Sequence, residues 1–158
     1  MRRSDREVKD AARIIDVISR CRCCRLGFYD VSGGEVYIVP LNFGYDETSD
    51  GLVLYFHGAK EGRKLDLIRQ NPQVGFEMYT EYTLHPADVA CDWSAGFQSV
   101  IGTGTAAIVT DNEEKRRGLD RIMLHTTGKN GWTYSEQMLS AVCVFKVTVN
   151  TLSCKEHE

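Results

Sequence analysis

Val8, Ala11, Ala12, Ile15 and Ile18 recur at helical spacing, and Ser4 with Glu7 has the spacing of a capping box, so residues 1–20 predict an N-terminal helix. The pattern then changes. Arg22 to Tyr29 reads as a strand, and Ser32-Gly33-Gly34 as a turn that closes a hairpin with Glu35 to Phe43. Val36 to Phe43 is almost continuously apolar, which predicts burial on both faces. Pro40 interrupts that run. It donates no ladder hydrogen bond, so the sheet opens, bulges or ends there, or the strand lies at an edge. Asp46 to Gly51 reads as a polar turn, and Leu52 to Phe56 as a strand ending at His57. Leu65 and Ile68, stopped by Asn71-Pro72, predict one short helix.

Val74, Phe76 and Met78 alternate with Gly75, Glu77 and Tyr79, so Gln73 to Tyr82 is a strand. Thr83 to Gly96 holds Pro86, Asp92 and Gly96 and reads as a loop. Phe97 to Thr110 is a long strand. A helix follows, with Thr110 and Glu113 as its capping box and Leu119, Ile122 and Met123 on one face. Gly128 to Gly131 breaks it, and Ala141 to Val149 is a valine-rich strand. Strands outnumber helices and succeed one another as hairpins. That predicts a mainly β protein, an antiparallel sheet or barrel with peripheral helices. No repeat or linker divides the chain, so residues 1–158 are expected to form a single domain with the N-terminal helix packed on it.

Composition narrows the function. The 158 residues carry a formal net charge of −3 and show no basic stripe, which argues against a general nucleic-acid binder. No apolar run approaches the ~18 residues of a membrane span. Met1-Arg2-Arg3-Ser4-Asp5-Arg6 is charged and unlike a secretory signal, so a cytoplasmic protein is expected. Six cysteines are irregularly spaced, which suits free thiols. Cys21 and Cys24 form a C-x-x-C without the second pair that structural zinc requires, and no metal is expected.

The chemistry concentrates at His57-Gly58-Ala59-Lys60-Glu61-Gly62-Arg63-Lys64. A small-residue loop there delivers two cations to a helix N-terminus, whose partial positive charge disfavours them. An anion resolves the conflict, because backbone N–H groups, Arg63 and Lys64 can then converge on one phosphate. His57, at the strand end beside this loop, is a candidate hydrogen-bond or proton donor to a ligand. Around Pro40, unpaired backbone groups with Leu41 and Asn42 suit a flat aromatic ligand. Gly102-Thr103-Gly104-Thr105-Ala106-Ala107 matches G-x-G-x-x-A, but its β-branched setting favours a strand whose glycines admit a close neighbour. No G-x-S-x-G is present.

Three runs, in order, resemble the pyridoxamine 5′-phosphate oxidase-like proteins and their FMN-binding split β-barrel, above all the nitroimidazole resistance (nitroimidazole reductase) branch. They are Tyr37 to Tyr45, Tyr55 to Pro72, and Ser99 to Gly102 with Gly104. Glu113-Glu114-Lys115 with Leu119 and His125 adds a weaker fourth. The resemblance implies an FMN-bound homodimer with flavin at the subunit interface. Arg63 and Lys64 would grip the phosphate, Val39, Pro40, Leu41 and Asn42 would flank the ring, and His57, Gly58 and Ala59 would lie near ring and ribityl chain. Gln98 and Ser99 would complete the site, from the second subunit in one version. His57 matches the family's active-site histidine, and Trp132 is a candidate pocket wall. Gly62 replaces the serine of true pyridoxamine phosphate oxidases, which counts against that substrate. The activity implied is electron transfer from FMN, reduced by an external donor, to a small nitroaromatic or related acceptor. Alternatives are a non-catalytic flavin-binding or thiol-based redox-sensing protein, or a split-barrel relative using haem or a deazaflavin.

Overall fold

The computed structural model describes residues 4–49 and 51–157. Met1-Arg2-Arg3, Asp50 of the predicted polar turn, and the terminal Glu158 lie outside the described residues.

Among the described residues, eight strands make one antiparallel sheet: β1 (Glu7–Val8), β2 (Cys24–Asp30), β3 (Glu35–Leu41), β4 (Gly44–Thr48), β5 (Gly51–Gly58), β6 (Gln73–His85), β7 (Ser94–Ile108) and β8 (Cys143–His157). Their order is β3-β2-β6-β7-β8-β5-β4, with β1 paired to β8. Among the described residues, four α-helices lie outside it: α1 (Ala11–Arg20), α2 (Arg63–Gln70), α3 (Asn112–Thr127) and α4 (Glu136–Ala141). This is the predicted mainly β architecture with peripheral helices.

The core follows from strand alternation. Leu26, Phe28, Leu54, Phe56, Phe76 and Met78 are buried in one large cluster, and α1 and α2 close it with Val17, Ile18, Leu65 and Leu67. Phe56 stacks on Phe145 with ring centroids 5.2 Å apart. Each such side chain contributes about 1.5–3 kcal/mol through burial. A second cluster, Val53, Tyr55, Val109, Ile122 and Val144, lies on the other face of β5 and β8. It packs with Leu119 of α3.

Several sequence expectations are corrected. Ser4 to Arg6 is a 3-10 turn and Glu7 begins β1. The first helix starts later, where Asp10 accepts from Arg13 N. The cap of α3 is Asp111, accepting from Glu114 N, and not Thr110. β3 is not buried on both faces: Val36 and Ile38 are exposed on the uncovered face of the sheet, and β3 is also its edge strand. That position also explains Pro40. The ladder with β2 continues in register through Arg25↔Pro40 to Cys24↔Leu41, since an edge strand spares one hydrogen-bonding side. β4 occupies much of the predicted turn 46–51. The predicted loop 83–96 shrinks, because β6 reaches His85 and β7 starts at Ser94. α4 went unanticipated, and β8 extends well beyond Val149.

The glycines of the G-x-G-x-x-A run lie in β7, as their β-branched neighbours predict. A Cβ on Gly102 would come within 2.4 Å of the Thr151 carbonyl oxygen, and one on Gly104 within 2.6 Å of that of Thr148. A register shift between Thr103 and Gly104 presses β8 against them. They serve packing between strands and open no dinucleotide loop. Among the described residues, no helix is long and apolar enough to cross a membrane.

Candidate functional site

Three helices begin with a side-chain cap: Asp10 for α1, Asp111 for α3 and Ser135 for α4. The fourth does not. Gly62 opens α2 with φ 134°, a conformation that residues with a side chain rarely adopt, and makes no side-chain cap hydrogen bond. Its carbonyl oxygen accepts from Leu65 N at 2.9 Å. Leu65 N–H is thus satisfied within the turn, and among the described residues the backbone N–H groups of Arg63 and Lys64 are the ones left at this end, with the helix dipole behind them.

Arg63 is already engaged. Its guanidinium pairs with Asp30 Oδ2 at 3.2 Å and with Glu35, and lies 4.7 Å above the Tyr37 ring. Asp30 is itself fixed by its turn. Its Oδ1 accepts from Gly33 N at 2.9 Å, Ser32 Oγ at 2.7 Å and Ser32 N at 3.0 Å. Those donors, led by Gly33 N–H, and then Arg63 hold the carboxyl down at about 2. Glu35 and Asp30 in turn push the guanidinium further up. Lys64 differs. It lies across the end of β5, where a Cβ on Gly58 would sit 2.9 Å from its Cε and Nζ. Among the described residues, no ion pair involves it. The corner thus holds one balanced cation and one unbalanced cation over bare helix donors. Sequence reasoning missed Asp30 and Glu35, because they reach Arg63 across 33 and 28 positions of chain.

The other candidates are placed as follows. His57 is exposed at the end of β5. Alternation sets it on the face of Val53 and Tyr55, whereas Gly58 shares the face of Leu54 and Phe56. His57 is therefore next to the phosphate corner in sequence, but on the opposite face of the strand from Gly58 and Lys64. Ala59 is exposed in the loop. Val39 and Leu41 pack half-buried on the main core, while Pro40 and Asn42 are exposed. Trp132 is exposed after α3, and its indole N–H donates to the Lys129 carbonyl at 3.2 Å.

Gln98 is buried and Ser99 half-buried on β7. The chain does not bring them to the corner. His57 is paired with Val144 at the start of β8, whereas Phe97 is paired with His157 at its end. At about 3.3 Å per residue, roughly 40 Å of strand separates the two places.

The buried thiols are poor nucleophiles. Burial pushes Cys21 up to about 12, and raises Cys24 and Cys154 as well. All six cysteines are free. His125, noted in sequence only for its position, ties three segments together. Its Nδ1 lies 2.7 Å from the Phe43 carbonyl oxygen and its Nε2 3.1 Å from that of Ser19.

Known proteins agree with this architecture. The profile of the pyridoxamine 5′-phosphate oxidase family matches residues 10–156. A proposed 5-nitroimidazole antibiotic resistance protein from Bacteroides thetaiotaomicron is 33% identical, with a TM-score of 0.80 over 95% of this chain and 86% of that one. The flavocytochrome Anf3 from Azotobacter vinelandii has a TM-score of 0.80 at 17% identity, over 100% of this chain and 72% of that one. An FAD-binding protein from Mesorhizobium loti has a TM-score of 0.68 at 19% identity, over 97% and 98%. The two distant structures share the split-barrel fold. No functionally curated protein matches the chain.

Proposed function

The chain belongs to the pyridoxamine 5′-phosphate oxidase family, and we propose on that premise that it is an FMN-dependent oxidoreductase acting on a small acceptor of the nitroimidazole or nitroaromatic class. One observation carries the reading: among the described residues, α2 alone of the α-helices has a glycine cap and two cations in its first turn, where the others carry side-chain caps. That is the donor set of a phosphate group. Lys64 and the first-turn N–H groups would hold the FMN phosphate directly. Arg63 would join them by exchanging part of its contact with Asp30 and Glu35. Val39 to Asn42 on the edge strand would border the ring, with His57, Gly58 and Ala59 at the end of β5. Bound flavin would supply reversible electron transfer between an external donor and the acceptor. His57, exposed and outside the phosphate corner, would orient the acceptor or hand it a proton.

The same reading makes the working unit a homodimer. Gln98 and Ser99 can complete a site at the corner only from a second copy, given the length of β8 between them. The outward face of the sheet offers a surface for that copy. Val36, Ile38 and Ile101 are exposed there, and Gly27 pairs with Gly75 to leave a shallow floor. The thiol-sensing alternative is weakened by burial of Cys21, Cys24 and Cys154. The test is direct. Protein purified with FMN should show a bound-flavin absorption spectrum, reduction by a nicotinamide donor, and reoxidation by a nitroimidazole. A spectrum without flavin after saturation, or a haem Soret band instead, would refute the cofactor assignment.

A further inference from the structure

His125 sits in the last turn of α3, half-buried between the end of α1 and the junction of β3 with β4. Its Nδ1 lies 2.7 Å from the Phe43 carbonyl oxygen and its Nε2 3.1 Å from the Ser19 carbonyl oxygen. The ring has little room to withdraw. A Cβ on Gly44 would come within 2.3 Å of the Arg121 and Ile122 backbone, so β4 is pressed directly against α3. The Phe43 and Tyr45 rings flank the imidazole, with centroids 4.3 and 5.6 Å from its own.

Both neighbours are carbonyl oxygens, which only accept. A neutral imidazole has one N–H and one lone pair, so it makes one of these contacts and turns a lone pair toward the other oxygen. The ring with two protons makes both. Its charge is also well placed. Ser19 is near the C-terminus of α1, where the last carbonyls lack partners within the helix, and His125 lies at the C-terminal end of α3. Both helix dipoles favour a cation there. The charged groups around the ring are already matched. From α3, Arg121 shares a cavity of about 260 Å³ with the ring, yet it pairs with Asp46 of β4 at 3.1 Å, alongside Arg117. From α1, Asp16 is held by Arg13 at 2.7 Å and by Arg20 at 3.0 Å. From β4, Tyr45 keeps its phenol proton, which burial pushes up, with Glu47 beyond it. Among the described residues, no carboxylate pairs with the ring.

We propose that His125 is a proton-operated clasp: with two ring protons it ties α3 to α1 and to the β3–β4 junction at once, and on losing one proton it releases one of the two. The cavity lined by Ser19, Tyr45, Arg121 and Leu124 opens beside the ring and gives the proton a path to water. Each contact holds only while its nitrogen carries a proton. The double tie is therefore present in acid and lost as pH rises through the range in which histidines ordinarily change charge, about pH 5–8. Phe43 directly follows Asn42. On the reading above, which sets Asn42 beside the flavin ring, the clasp governs how firmly one border of that ring is held, and the flavin site is looser in alkali.

Nitrogen NMR of the full chain labelled in its histidines reads the ring directly. Replacing His57, His85 and His157 by Gln leaves His125 as the one ring observed, so the measurement does not require a folded His125 variant. Both ring nitrogens should carry protons at the acid end of the range, and one should lose its proton toward the alkaline end. Urea unfolding of wild type and His125→Gln gives the second readout. The wild-type lead in the folding equilibrium constant should shrink about tenfold from the acid to the alkaline end, the worth of one hydrogen bond. A merely structural histidine would give the same lead at every pH. A ring with one proton throughout the range, or a lead that does not change with pH, overturns the proposal. Neither measurement needs flavin, so failure of the cofactor reading leaves both intact. FMN titration of the same two proteins tests the last step: wild-type affinity should weaken toward alkali more than that of His125→Gln. Equal weakening, beside the expected spectra and unfolding, would remove the link to the flavin ring and leave the clasp.

Discussion

α2 and α3 begin in opposite ways. α3 has Asp111 as its cap, Glu113 and Glu114 in its first turn, and Gly128 in the left-handed conformation at its end. Every choice there agrees with the helix dipole. α2 has a bare glycine cap and puts Arg63 and Lys64 at its first two positions, with its first-turn acid, Asp66, only at the fourth. One helix start is arranged for stability. The other gives up a cap and accepts unfavourable charge, a local conflict of the kind concentrated at functional sites.

The comparison is broken most severely by Arg63→Ala with Lys64→Ala. FMN affinity should fall about a hundredfold or more, because charge-assisted hydrogen bonds contribute roughly 1.5–3 kcal/mol each. The melting temperature should barely move, and fluorescence titration with calorimetry checks both. Lys64→Glu is expected to make α2 resemble α3. FMN binding should weaken more than tenfold, while the helix gains about 0.3–1 kcal/mol from a favourable end charge. Denaturant unfolding of the flavin-free protein measures that gain, and a loss of stability would contradict the reading.

At α3 the pattern should invert. Asp111→Ala should cost about 1 kcal/mol and lower the melting temperature by about 2–4 °C, with FMN affinity unchanged. Smaller still, Glu35→Gln removes one competitor for Arg63. FMN affinity should rise about two- to fivefold, the usual worth of an exposed ion pair. The smallest effect is in acid. The Asp30 carboxyl is held at about 2, below its ordinary range, so its contribution is present above about pH 4 and lost as pH falls through the folded value. Asp30→Asn should flatten the acid limb of the stability curve between about pH 4 and 2, as thermal melts in that window would show.

The sequence pattern located the strand-to-helix joint at residues 52–72 because three independent signals coincide there: an apolar run, a glycine loop and a proline stop. It also read Val74, Phe76 and Met78 correctly, since alternation over a half-buried strand is unambiguous. Capping residues were less legible. Ser4, Asp10, Thr110 and Asp111 are all competent caps, and only the backbone path selects among them. β3 misled for a different reason. A continuous apolar run signals burial or an uncovered edge equally well, and nothing local distinguishes them. The β2–β3 turn acids that hold Arg63, and the Arg13–Glu156 ion pair that ties α1 to β8, join residues distant in sequence. Such contacts are created by strand order and leave no trace in any short window.

β8 follows every other strand in the chain, yet it sits between β7 and β5 in the sheet. The two halves of the sheet therefore cannot join until residues 143–157 have been synthesised and inserted. Until then β5 and β7 present long unpaired edges, a template for pairing with other chains. Assembly depends on contacts far apart in sequence, which makes folding slow and leaves the nascent protein exposed to aggregation. Demand for chaperones during synthesis should accordingly be set by the last strand to arrive.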